Sequence, residues 1–183
     1  MIKAIMDLML LRIFQQQVLL QCQFILFAAR DINMALNQDD DKRIFYAIQN
    51  LLNAAANVSK ALWGQGGKFA DERKTLRDSI GVSDTSPLRE ISIRNDFEHF
   101  DERLDNWWKQ SKNHNYLDLS IGSIRTAISG FSDIDMFRCL NPQTGAVSFW
   151  GTDFNLNTVI AEVRRILPKL EEETAKPHWA MEP

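Results

Sequence analysis

The chain has 183 residues, a formal charge of -3, two cysteines and three histidines. That length suits one domain with a core that needs no staple, and the mild acidity excludes bulk non-specific nucleic-acid binding while leaving room for RNA contact at one local patch. Cys22 and Cys139 form no CxxC pair and the histidines are scattered, so no metal site and no cofactor is expected.

The first segment, Ile2 to Ala29, is rich in Leu, Ile, Met and Phe, but Lys3, Asp7, Arg12 and the run Gln15-Gln16-Gln17 interrupt it. No run of about 20 apolar residues results, so no membrane span is expected. No small-residue cleavage site follows a basic start, so the expectation is a cytoplasmic chain with reduced thiols. Residues 2–37 lack Gly and Pro and read as one helix, roughly 50 Å long at about 1.5 Å per residue. Its apolar residues lie on most sides, as in the central helix of a bundle or a subunit interface.

Asn37 to Asp41 reads as a turn, and Lys42 to Trp63 as a second helix with Ile44, Ile48, Leu51, Leu52, Ala55, Val58 and Leu62 at helical spacing. Gly64-Gln65-Gly66-Gly67 ends it as a flexible connection. It lacks the full phosphate-loop pattern and a preceding strand. Ala70 to Ile80 reads as a short charged helix stopped by Gly81; Ser86-Pro87 then starts a helix reaching about Lys109. Residues 111–133 are mixed. Asp135 to Leu140 and Ala146 to Trp150 read as two short strands joined by the turn Asn141 to Gly145. A last helix runs from about Asn155 to Ala175, with Pro168 as a kink, and the tail from Pro177 is loose.

At 100° per residue, Ile93, Phe97, Phe100, Leu104, Trp107 and Trp108 share one arc of the helix 87–109, its expected core stripe, and Arg94, Asn95, Glu98, His99 and Glu102 take the opposite side. Taken alone, Arg94 with Glu98 and Asn95 with His99 are also what an ordinary solvated helix displays. Lys68, Arg73, Lys74 and Arg77 form a basic cluster ahead of this helix, readable as a solvated face or as a guide for RNA phosphates, with Asp71 and Glu72 weakening it. His114 and His178 have no partner at a useful spacing, and Trp150 reads as a sheet-face anchor.

The segment Arg94-Asn95-Asp96-Phe97-Glu98-His99 resembles the motif of HEPN domains, an Arg followed by a polar residue and, after four to six residues in all, a His. The continuation His99 to Leu104 resembles a bacterial branch of that superfamily, as do Ala61-Leu62-Trp63-Gly64, Leu76-Arg77 and Ser86-Pro87-Leu88. The resemblance covers roughly residues 5–110. It implies a mainly α fold: a HEPN-type helical bundle over residues 1–110, with a C-terminal extension, 111–183, that adds a small β-hairpin and a final helix packed on the same domain.

The activity the resemblance implies is metal-independent endoribonuclease action of toxin or phage-defence type. The RNA's own 2′-hydroxyl would attack, leaving a 2′,3′-cyclic phosphate and a 5′-hydroxyl. His99 would serve as general acid or base, Arg94 would hold the scissile phosphate, and Asn95 would orient His99 or a phosphate oxygen. Arg73 and Arg77 are the candidate substrate-binding residues. On an ideal helix Arg94 and His99 sit about 140° apart, a broad and shallow site. Two copies across a two-fold axis would close it, so a homodimer is expected, with the long first helix as a contributor. The implied partners are RNA and a cognate antitoxin or sensor. A second reading is a non-catalytic HEPN module for dimerisation or binding with a partner protein; the acidic neighbours Asp96, Glu98, Asp101 and Glu102 favour it by repelling a phosphate backbone.

Overall fold

The computed structural model of the chain describes residues 6–89, 91, 93–122 and 131–178. Its helices are α1 (Leu8–Leu36), α2 (Asp41–Trp63), α3 (Lys74–Ser79), α4 (Ile93–Glu98), α5 (Phe100–Gln110) and α6 (Leu156–Thr174). Four short strands accompany them: β1 (Ser120–Ile121), β2 (Arg138–Asn141), β3 (Ala146–Phe149) and β4 (Thr152–Asn155). The fold is mainly α.

Local chemistry sets the helix ends. Asp7 caps α1, its Oδ1 accepting the amides of Met9 and Leu10 at 2.9 and 3.2 Å. Asn155 caps α6, accepting from the amides of Asn157 and Thr158 at 2.9 and 3.3 Å. The residues expected to extend α1 back to Ile2 lie outside the described residues, apart from Met6 and Asp7. Of the expected helix 70–80 only Lys74–Ser79 is α-helical; turns precede it, and Gly81 follows with φ 68°.

Contacts divide the chain into two compact units, one made of Met1–Phe27, Asn53–Ile91 and Val159–Pro183, the other of Ala28–Leu52 and Ser92–Thr158. In the first unit the buried residues include Val18, Cys22 and Ile25 of α1, Ala55, Val58 and Leu62 of α2, Leu76 of α3, and Val159, Val163, Ile166 and Leu170 of α6. The last four follow one stripe at helical spacing. A buried ion pair also sits in this unit: Arg12 donates through one NH1 to Glu173 Oε2 at 2.8 Å, to the Glu173 carbonyl at 3.1 Å and to Gln15 Oε1 at 2.9 Å.

In the second unit the sheet has the order β1-β2-β3-β4, with β1 parallel to β2 and the other pairs antiparallel. It holds two more strands than the sequence suggested. In the turn between β2 and β3, Asn141 Oδ1 accepts the amides of Gln143 and Thr144 at 3.1 and 3.4 Å, and Gly145 takes φ 70°, where a side chain would be strained. Cys139, Leu140, Val147 and Phe149 are buried, as are Ile44, Ile48 and Leu51 of α2. Asp135 is a buried hub below the sheet. It accepts from Ser111 Oγ at 2.6 Å, Ser132 Oγ at 2.7 Å, the Ser132 amide at 3.0 Å and Trp107 Nε1 at 3.3 Å. Burial pushes its carboxyl up, but these donors outweigh that and hold it below its ordinary value.

No helix among the described residues is long and apolar enough to cross a membrane.

Candidate functional site

The single helix expected from Pro87 to Lys109 is two helices. Pro87 and Leu88 form a turn, α4 starts at Ile93, and the chain breaks at His99, whose φ of -102° and ψ of 40° are not helical, before α5 resumes at Phe100. The hydrogen-bond ladder bridges the break: His99 N–H donates to the Asn95 carbonyl at 2.9 Å, and Arg103 N–H to the His99 carbonyl at 3.2 Å. The result is a joint rather than a loop.

Ile93 and Phe97, one turn apart, are both buried and anchor α4. The Phe97 ring lies 4.5 Å from that of Phe149 on β3, and α4 packs on β3 and β4. The C-terminal sheet thus backs the motif helix. With that side inward, Asn95, Glu98 and His99 are exposed and Arg94 is half-buried. Arg103 reaches back over the joint and holds Asp96 Oδ1 through Nε at 3.0 Å and NH2 at 2.7 Å.

Arg94 donates to the Glu98 carboxylate, an i,i+4 ion pair, and more weakly to Asn95 Oδ1 at 3.4 Å. Asn95 therefore faces Arg94. His99 Nδ1 stands 3.8 Å from Glu102 Oε1, too far for a hydrogen bond. The locale thus offers a guanidinium, a carboxamide, an imidazole and two carboxylates on one exposed stretch of chain. Such groups can hold a phosphate and move a proton, provided that Arg94 exchanges its carboxylate partner for the substrate.

Arg73 and Arg77 belong to the other compact unit. Arg77 is 3% exposed; its guanidinium donates to the Leu62 carbonyl at 2.8 Å, pairs with Asp84 at 3.0 Å and lies over the Trp63 ring. It is committed inside the fold, because its aliphatic neighbours at i-1 and i+3, Leu76 and Ile80, draw the same turn inward. Arg73 is half-buried, stacks 3.7 Å from the Phe14 ring centroid and donates to the Ala61 carbonyl at 2.9 Å. Burial lowers its pKa from the usual value, against the raising effect of Glu72. Both arginines thus hold their own unit together, and Lys74 is paired with Asp78.

The expected core stripe of the motif helix holds only in its first half. Phe100 is 52% and Trp108 62% exposed, and Trp107 is half-buried, its Nε1 on Asp135. The Trp108 and His114 rings pack against each other at a tilt, centroids 4.1 Å apart, so His114 is not without a neighbour. The break at His99 rotates α5 relative to the continuous wheel, a turn that periodicity alone does not reveal. Glu98 pairs with Arg94, as the i,i+4 spacing of the two residues suggests.

Among the described residues no group of three or more His, Cys, Asp or Glu side chains could hold a metal ion. Set against models of protein families, curated proteins and solved structures, the chain matches none of them.

Proposed function

We propose that the chain is a metal-independent endoribonuclease of the HEPN type, with His99 as acid or base, Arg94 on the scissile phosphate and Asn95 orienting His99 or a phosphate oxygen. The observation that carries this reading is the exposed joint: His99 lies bare at a helix break, one turn after Arg94 and Asn95, on a short helix held by the sheet. A solvent-facing histidine in the same segment as an arginine is suited to exchanging a proton with a bound substrate near neutral pH. The 2′-hydroxyl attack would leave a cyclic phosphate and a free 5′-hydroxyl. A second copy of the chain would supply the facing half of the site, and a cognate antitoxin or sensor would restrain it.

A second reading has one observation in its favour. Arg94 is held by Glu98, and Asp101 and Glu102 are exposed nearby. A non-catalytic binding module would keep that ion pair permanently. Purified protein incubated with tRNA and mRNA in EDTA separates the two, run beside Arg94→Ala and His99→Ala. Cleavage with cyclic-phosphate ends that both substitutions abolish is the expected result. Equal background in all three proteins favours the binding module.

A further inference from the structure

Beside α4 lies a cavity of about 440 Å³, within the range of small-ligand sites. Phe97, Phe137 and Phe149, all nearly buried, form its inner surface, and the half-exposed Phe100 ring stands at its mouth. Its polar lining is Gln49 of α2, Glu98 of α4 and Arg138 of β2. We propose that this cavity is a nucleobase subsite: one unstacked base of a single-stranded RNA stacks on Phe100 and turns its hydrogen-bonding edge to Glu98 and Gln49. The inference rests on the RNA-processing reading above and names what the C-terminal sheet adds to it.

Three observations select this occupant. The first is charge. Arg138 is clamped by Asp118 through Nε at 2.8 Å and NH2 at 2.6 Å, and Glu98 is matched by Arg94. The lining therefore offers no unpaired cation, whether or not Arg94 stays on Glu98, and the cavity calls for a neutral ligand rather than a phosphate or carboxylate. The second is shape and chemistry. A nucleobase is flat and apolar on its faces and polar only at its edge. Aromatic walls with an amide and a carboxylate at the rim match both, and aromatic rings are the usual platform for unstacked bases in RNA recognition. The third is position. Glu98 lines the cavity and directly precedes His99 in the chain, while its carboxylate holds Arg94. A base seated here brings its own ribose and phosphate to the Arg94–His99 segment.

The rim also sets a preference. A carboxylate accepts hydrogen bonds and donates none, so Glu98 rewards a base with an exocyclic amine. Cytosine and adenine carry one and uracil does not. The cavity should therefore prefer them over uracil.

The test uses the full chain and strands that cannot be cleaved. Anisotropy is measured for labelled 2′-O-methyl trinucleotides CAC and UUU, and for three versions of CAC each missing one base. In the wild type, CAC binds more tightly than UUU, and removing one particular base weakens binding by about 5- to 150-fold, the usual cost of a lost stack. In Phe100→Ala, which alters an exposed ring, the same removal costs nothing further. Gln49→Ala, on an exposed α2 position, narrows the gap between CAC and UUU and serves as the second variant. Equal losses for all three abasic strands, or the same loss in wild type and Phe100→Ala, would overturn the subsite; so would no binding at all, as expected if the cavity seats a partner protein's side chain. Because 2′-O-methyl strands bypass the chemistry, position-specific binding without any cleavage of ordinary RNA would sink the nuclease and leave the subsite standing. Cleavage without that binding would do the reverse.

Discussion

Arg103 on α5 grips Asp96 on α4 across the break at His99, two donors converging on one carboxylate oxygen at 3.0 and 2.7 Å. The pair is seven residues apart, so it spans the joint and sets the angle at which α5 leaves α4. Asp96, counted from sequence among acidic residues that repel RNA, is thus occupied in holding the motif segment. Asp96→Asn should leave global stability within about 1 kcal/mol, as expected for a partly exposed pair. The amides of His99 and Arg103 should exchange faster, which native-state hydrogen exchange would detect. Unchanged protection at both amides would show that the joint holds without the pair.

Glu98 competes with any phosphate for Arg94. Glu98→Gln removes that competition. Binding of uncleavable single-stranded RNA should then become more salt-dependent, with the slope of log K against log salt steeper by about 0.7, one additional phosphate contact. An unchanged slope would mean that Glu98 does not compete with the backbone for Arg94.

Arg77 and Arg73 differ in what their loss should do. Arg77→Ala takes the buried donor from the Leu62 carbonyl and the cation from the Trp63 ring and should cost about 1–3 kcal/mol of stability in denaturant unfolding. Neither substitution should alter the salt slope of RNA binding by as much as one phosphate contact. A drop of about 0.7 in that slope for Arg73→Ala would restore it as a substrate residue.

The Arg12–Glu173 pair ties α1 to α6 with both side chains under a tenth exposed. Glu173→Ala strands a buried guanidinium and should cost about 3–5 kcal/mol. The pair also predicts acid sensitivity. Burial works to raise the Glu173 carboxyl, but hydrogen bonds from Lys176, Arg12 and Lys169 prevail and lower it from 4.5 to about 2. A depressed carboxyl contributes stability that is fully present above its unfolded value and disappears as pH falls through its folded value. Stability should therefore decline between about pH 4.5 and pH 2, and Glu173→Gln should flatten that decline. An equally steep decline in both proteins would assign it to other carboxylates.

The mainly helical character and the extents of α2 and α6 were legible in the residues. These features depend on local rules: apolar spacing along α2 and α6, and the turn residues Asn37 to Asp41 and Gly64 to Gly67 that bound α2. Tertiary structure decided the rest. The break at His99 depends on what α4 is anchored to, since Phe97 is drawn against Phe149, some fifty residues away, while Arg103 turns back to Asp96. Phe100 and Trp108 look like core residues on a continuous wheel and are exposed once that wheel is broken. Arg77 reads as a free cation, and only the carbonyl of Leu62 and the carboxylate of Asp84 make it an internal strut. The cavity beside α4 draws on α2, α4, α5, β2 and β3, and no local pattern encodes a space that five separate elements enclose. Periodicity reports which side of an element is apolar; which neighbour that side meets is set by packing between residues far apart in the chain.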